Sequence, residues 1–321
     1  MRLFLACLVV SLASMAVLPR AAHAIFLYKS ATRNTAAPTG TWTDSGWQFE
    51  GKFSGFLGTA IAKQYFITAG HFNGSVNNPF EFQGTSFSPT LMWDDPNSDL
   101  RIYKVKGALP KWAQLYTNTD QVGKSAVMIG RGTQRGRGVI VDGVNHGWKW
   151  GAEDGVQSWG TNVVSGTADG GQTLGELLKL DFNAKGSEFE GALSRGDSGG
   201  GVFIKDGSKW KLAGVNFSAD GPFSLTTNGT TFDASVFDRG GLWAQATGFV
   251  QDKDKNLPGA SYATRISART DWITGVLNGS IAPSASPGSQ PSGRSVPEPT
   301  GAVVILGIGA WSLAQRRSLL R

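Results

Sequence analysis

Three residues in this chain have the types that nucleophilic catalysis needs, each in a short string of distinctive composition: Ser198, His71 and Asp99. A serine hydroxyl is a weak nucleophile at neutral pH, so it needs a base for its proton and donors for the oxyanion that its attack creates. Ser198 lies in Gly196-Asp197-Ser198-Gly199-Gly200. Glycine flanks allow positive φ and let a carbonyl approach main-chain N–H groups closely, here those of Gly196 and Ser198. The same five residues also fit an ordinary Gly/Asp/Ser turn, which a chain with 44 glycines supplies readily. The base would be an imidazole. Of three histidines, His23 falls in an N-terminal leader, which leaves His71 and His146. His71 closes the apolar string Tyr65-Phe66-Ile67-Thr68-Ala69-Gly70-His71; a lone histidine also suits a structural or exposed role. Among the carboxylates that could orient it, Asp94 and Asp95 precede Pro96 and read as turn residues, whereas Asp99 opens the next strand.

The elements that must position these groups are short strands. Apolar runs are broken about every 8 to 12 residues by Gly/Asn/Asp/Ser turns, a pattern of sandwiches and barrels rather than of alternating β and α units. Gly58 to Ala62 and Tyr65 to Ala69 predict a hairpin across Lys63-Gln64, and Leu100 to Val105 predicts a strand beginning just after Asp99. A second β-rich half follows a crossing at Gln114 to Asp120, with strands at Ala126 to Gly130, Gly138 to Val141, Leu178 to Phe182, Gly201 to Ile204 and Leu212 to Phe217. Gly240 to Pro258 reads as a surface excursion. Tyr262 to Leu277 has apolar residues at helical spacing with Ser267 or Thr270 as a cap, predicting one C-terminal helix packed on the second half.

At 321 residues with 40% hydrophobic content the chain can fill one large all-β unit or two ordinary domains. Residues 1–24 carry Arg2, an apolar core and Ala22-His23-Ala24, the features of a secretory signal peptide that would leave Ile25 first. The one cysteine, Cys7, lies inside that leader, so a mature chain would have no disulfide and would depend on its core. The formal charge of +6 falls to +2 once Arg2 and Arg20, and Arg316, Arg317 and Arg321 against Glu298, are set aside with the two ends. Arg131, Arg135 and Arg137 are separated by glycines and lack interleaved aromatics, so they predict a solvated loop and no nucleic-acid partner. Residues 278–295 have the Ser/Pro/Gly composition of a linker. Beyond them come Val296-Pro297-Glu298-Pro299, an apolar run within 300–314 and Arg316-Arg317. That run is short for a span of about 20 residues and suits either weak, transient membrane anchoring or a processed sorting tail.

Taken together, the order His71, Asp99, Ser198 resembles the trypsin-like (chymotrypsin-fold) serine peptidases over residues 47–277. Thr68-Ala69-Gly70-His71 is similar to that family's Thr-Ala-Ala-His. Ser98 to Val105 is similar to its Asn-Asp-Ile-Ala-Leu-Leu-Lys-Leu strand, and Gly196 to Gly200 matches its nucleophile motif. Val215 to Ser218 falls where the family has its substrate-pairing strand, and Tyr262 to Ile273 resembles its closing Tyr-x-x-Val…Trp-Ile segment. The resemblance implies two antiparallel β-barrels with the active site between them and a C-terminal helix. The first barrel would be 25–120 with His71 and Asp99, and the second 121–277 with Ser198. It further implies a His71/Asp99/Ser198 triad, an oxyanion hole at Gly196 and Ser198, a protein or peptide substrate, and no metal or cofactor.

Two departures from the family pattern matter. The family's freed Ile-Val-Gly-Gly terminus, whose ammonium pairs with the Asp of the nucleophile motif, is missing, so Asp197 would be held by other hydrogen bonds or by the Ile25 ammonium. Ala192 stands where the family sets primary specificity; with Phe217, Ser218 and Ala219 it implies an uncharged pocket for a modest apolar side chain. Residues 296–321 resemble the PEP-CTERM sorting signal of Gram-negative bacteria. That likeness implies an exosortase-type processing enzyme as partner and export to the envelope or beyond. The rival expectations are a catalytically silent trypsin-like binding module of the extracellular matrix, and a nucleic-acid or polysaccharide binder built on the 11 tryptophans.

Overall fold

The computed structural model describes residues 25–251 and 257–284. The leader at 1–24, linker residues 285–295 and the sorting segment at 296–321 lie outside the described residues. After β1 (Phe26–Leu27), the first sheet comprises β2 (Glu50–Phe53), β3 (Phe56–Ala62), β4 (Tyr65–Ala69), β5 (Phe80–Phe82), β6 (Thr85–Phe87), β7 (Pro89–Asp94) and β8 (Leu100–Val105). Their order, β6-β5-β2-β3-β4-β8-β7, makes an open half-barrel. Lys63-Gln64 joins β3 to β4, with Ala62 opposite Tyr65. Aromatic residues on these strands point to one interior: Phe66 stacks on Phe80 at 4.0 Å, and Phe53 meets Tyr103 at 4.7 Å. Offset and tilted ring pairs of this kind add to what burial alone contributes.

β9 (Gln114–Leu115) crosses to the second unit, which holds β10 (Ser125–Gly130), β11 (Thr133–Val141), β12 (Val144–Glu153), β13 (Ser158–Asp169), helix α1 (Gly171–Leu174), β14 (Glu176–Asp181), β15 (Gly191–Ala192), β16 (Gly201–Asp206) and β17 (Lys209–Ala219). The short strands β18 (Phe223–Ser224), β19 (Ala234–Val236), β20 (Trp243–Ala244) and β21 (Gly248–Phe249) precede β22 (Ala260–Arg265) and α2 (Thr270–Leu277). Six strands in the order β16-β10-β13-β14-β22-β17 close on themselves through the β16–β17 pairing. Closure leaves no free edge within that ring. The protein is therefore all-β, with a barrel, a half-barrel and a short C-terminal helix.

Several segments differ from the sequence expectation. Residues 25–27 open the chain on the second barrel: Phe26 pairs with Ala192, and Ile25 and Leu27 sit in the core with Met128 and Leu178. Tyr262 to Arg265 is strand, because β22 pairs with both β14 and β17, and the helix starts only at Thr270. That helix joins a core shared by both units, with Leu212 and Val215 of the second among its members. Trp272, Ile273 and Val276 join the larger core with Met92 and Trp93, and Arg269 forms a two-pronged ion pair with Asp95. Alternating apolar residues at 262–266 suit either period, and long-range pairing decides for the strand. The presumed excursion after Gly240 buries Leu242 and Ala244 against Val139 and Val236.

The two units are tied by a buried acid. Glu50 of β2 accepts hydrogen bonds from Thr59 Oγ1 at 2.8 Å and from the Gly201 N–H at 3.1 Å, just past the Gly196–Gly200 turn. Burial pushes its carboxyl from 4.5 up to about 8, against those two bonds. Below the unfolded value both states hold the proton; between 4.5 and about 8 only the unfolded chain releases it, so stability falls as pH rises. The slope is about 1.4 kcal/mol per pH unit. Glu50→Gln is expected to raise the urea midpoint at pH 8 and leave it nearly unchanged at pH 5, as read by denaturation at both values.

Candidate active site

The strand register explains why residues 28 apart meet. β4 and β8 pair with Ala69 opposite Leu100, so the residues just beyond the strand ends, Gly70-His71 and Asp99, emerge side by side. The Gly70 N–H donates to the Asp99 carbonyl at 2.9 Å and fixes that corner. His71 Nδ1 lies 2.7 Å from Asp99 Oδ2, and His71 Nε2 lies 2.9 Å from Ser198 Oγ. With its proton on Nδ1, the imidazole donates to Asp99 and leaves Nε2 free to accept from the Ser198 hydroxyl. Asp99 is buried, and the Phe217 ring stands edge-on to His71 at 5.7 Å, which dries that side of the imidazole. His146, the other candidate base, is buried near Asp238, 3.5 Å from its carboxylate.

The turn carrying Ser198 is built by glycines and by a buried carboxylate. Gly196 has φ +89° and Gly199 has φ +80°; a Cβ on Gly199 would stand 2.3 Å from Thr68 Oγ1. The N–H groups of Gly196 and Ser198 have no acceptor among the described residues. Asp197 turns inward: Oδ1 accepts from the Gly132 N–H at 2.8 Å, and Oδ2 accepts from Ser194 N–H at 2.7 Å and Ser194 Oγ at 3.0 Å. Burial pushes the Asp197 carboxyl up to about 7, opposed by those hydrogen bonds and by the Arg33 charge. The carboxylate is thus held by donors of Gly132 and Ser194, and the Ile25 side chain lies in the barrel core.

No family model matches the chain, and no curated protein matches it. Among solved structures it is similar to the passenger domain of Plasmid encoded toxin, an autotransporter enterotoxin from enteroaggregative Escherichia coli. The identity is 17% and the TM-score 0.43, over 68% of this chain and 21% of that one. It is also similar to the inactive form of Rv3671c from M. tuberculosis H37Rv, a serine-to-alanine mutant. There the identity is 11% and the TM-score 0.42, over 77% of this chain and 98% of that one. The chain spans about a fifth of the toxin passenger's length.

Sequence reading missed Asn216 as a support. Its Nδ2 donates to the Ile129 carbonyl at 2.8 Å and the Asp197 carbonyl at 3.1 Å, while its backbone pairs with Gly199 and Gly200. A lone amide inside the apolar run Leu212 to Phe217 was the available signal, and the structure buries it fully.

The four residues expected to form a substrate pocket divide. Ala192 and Ala219 line one narrow cavity with Phe182, Phe223 and Ala234; Phe217 belongs to the His71 wall, and Ser218 is outside the cavity lining. The free space is about 10 Å³, room for one water or a methyl group. The cavity also holds an acidic side chain. Asp220 lines it and accepts from the Ala260 N–H at 2.9 Å and the Tyr262 hydroxyl at 3.0 Å. Burial raises its pKa, opposed first by the Arg239 charge. β17–β22 pairing, invisible in a local string, brings that carboxyl in.

Of the three arginines expected to be solvated, Arg137 is exposed, whereas Arg131 and Arg135 make contacts. Arg131 donates to the Gly55 carbonyl across the two units, and the Arg135 guanidinium lies 3.3 Å over the Trp148 ring.

Proposed function

We propose that this protein is an exported serine endopeptidase that cleaves peptide bonds through an acyl-enzyme on Ser198. The observation that carries the reading is the unbroken chain from Asp99 Oδ2 through both nitrogens of His71 to Ser198 Oγ, at 2.7 and 2.9 Å. On this reading Ser198 Oγ attacks the scissile carbonyl while His71 Nε2 takes its proton. The imidazolium then returns that proton to the leaving amine, and Asp99 stabilises the charged ring. The N–H groups of Gly196 and Ser198 receive the oxyanion, each donor contributing about 3 kcal/mol to the barrier reduction. Water repeats the sequence to release the acyl group. Every step uses side chains and main-chain N–H groups of this chain, with water as the second nucleophile.

The same reading places the protein in the envelope or exterior of a Gram-negative bacterium. The signal peptide at 1–24 directs export, and the 296–321 segment is handled by an exosortase-type enzyme after weak membrane engagement through 300–314. The narrow cavity at Ala192 and Ala219 supports substrates with a small side chain before the cleaved bond.

The test is covalent labelling of the purified chain with a fluorophosphonate, followed by mapping of the adduct. A single stoichiometric adduct on Ser198 is the expected result. A folded protein that remains unlabelled would instead indicate the catalytically silent binding module.

A further inference from the structure

A second concavity lies away from the triad. Its volume is about 550 Å³, within the range of ligand sites, and it is bounded by the segment around Thr41, by Trp112 and Gln114, and by the turn between β16 and β17. Ser198 lies in the turn just before β16, whose first residue is Gly201, and Lys205 lies near the far end of that strand. At about 3.3 Å per residue, Lys205 lies roughly 13 Å along the strand from Gly201, away from the nucleophile turn.

The lining combines one presented indole with many polar groups. Trp112 is 45% exposed, a large apolar ring left in water, while Trp210 forms a buried wall braced by Trp42 at 5.8 Å. Around the rings stand the hydroxyls of Thr41, Thr43 and Ser208 and the amides of Gln48 and Gln114. A ligand fitting this lining has an apolar face of C–H groups for the indole and a dense rim of hydroxyls for the side chains. A pyranose ring has both.

Charge narrows the class. Lys205 and Lys209 line the groove against one carboxylate, Asp44. Lys211 nearby is paired with Asp206, whereas neither Lys205 nor Lys209 has an ion-pair partner among the described residues. Two free ammonium groups favour a ligand with spaced carboxylates. They are too few to track a nucleic-acid backbone, whose affinity rests on many phosphate contacts.

We propose that this groove binds an acidic oligosaccharide, with a sugar ring stacked on Trp112 and uronate carboxylates at Lys205 and Lys209. The site stands apart from the peptidase reading and would hold the protein on a uronate-bearing polymer while the triad faces its substrate.

The experiment titrates the purified full chain with hexagalacturonate and with neutral cellohexaose, following tryptophan fluorescence and heat. Saturable binding of hexagalacturonate that weakens with added salt is expected. Trp112→Ala should weaken it about tenfold or more, and the double variant Lys205→Gln/Lys209→Gln by a similar factor. The rate of fluorophosphonate labelling should be unchanged in these variants, which separates this site from the triad. No saturable binding, binding insensitive to Trp112→Ala, equal binding of cellohexaose, or binding only of a proline-rich peptide spanning 282–299 would each overturn the assignment.

Discussion

Ser198→Ala is expected to lower kcat/KM by about 10⁶-fold while leaving the thermal midpoint within a degree or two. The size follows from what the hydroxyl does. Without Oγ there is no acyl-enzyme, and a bound water must attack an amide directly, assisted only by the oxyanion donors and by substrate positioning. His71→Ala should cost about as much, because Ser198 Oγ, 2.9 Å from Nε2, then keeps its proton. The double variant should be little worse than either single one, since the residues act as a unit and their losses do not add. Stability is spared because Ser198 is partly exposed and makes its side-chain contact with the imidazole rather than with the core. The measurement is turnover of an internally quenched peptide alongside calorimetry. Additive losses in the double variant would contradict a shared proton-transfer unit.

How much of this was legible in the sequence depended on the range of the interaction concerned. Strings near each catalytic candidate are local: the β3–β4 hairpin, the strand after Asp99 and the glycine-flanked turn all follow from nearby residues. The one departure in the histidine string proves harmless, because a Cβ on Gly70 would find its nearest neighbour, Asp99 Oδ1, at an ordinary 3.4 Å. What escaped was set by pairing between distant segments. Nothing local to Phe26 says that it will pair with Ala192, or that the opening residues complete the second barrel's core. Asp220 likewise enters its cavity only because β22 holds Ala260 and Tyr262 opposite the end of β17. The contacts of the C-terminal segment with the first unit escaped for the same reason, as Asp95 reads locally as a turn residue although its carboxylate anchors Arg269. The groove at Trp112 gathers three separate segments, so the sequence offered only its tryptophans, without a site to put them in.

Asp197→Ala is expected to damage both catalysis and folding, and the two effects arise from different atoms. The carboxylate takes three hydrogen bonds from Gly132 and Ser194 in a site closed to water. Removing it strands two buried N–H donors, each costing about 1–3 kcal/mol. Against this, the variant no longer buries a group whose pKa is raised from 3.8 to about 7. That raised value means the native state holds the proton more tightly than the unfolded chain, so wild-type stability declines as pH climbs from 3.8 towards 7. The net loss in Asp197→Ala is therefore expected to be larger at pH 5 than at pH 8, by urea denaturation at both values. Catalysis should suffer at every pH. Asp197 is the inward anchor of the Gly196–Ser198 turn, and once it is gone the two oxyanion donors are no longer fixed at positive φ on Gly196. A loss of about 10² to 10³ in kcat, the scale of one displaced oxyanion donor, is expected with KM little changed. Ser194→Ala keeps the carboxylate and removes only the weaker hydroxyl bond at 3.0 Å, so it should retain most activity. If Ser194→Ala and Asp197→Ala were equally inactive, the turn would depend on Ser194 rather than on the carboxylate.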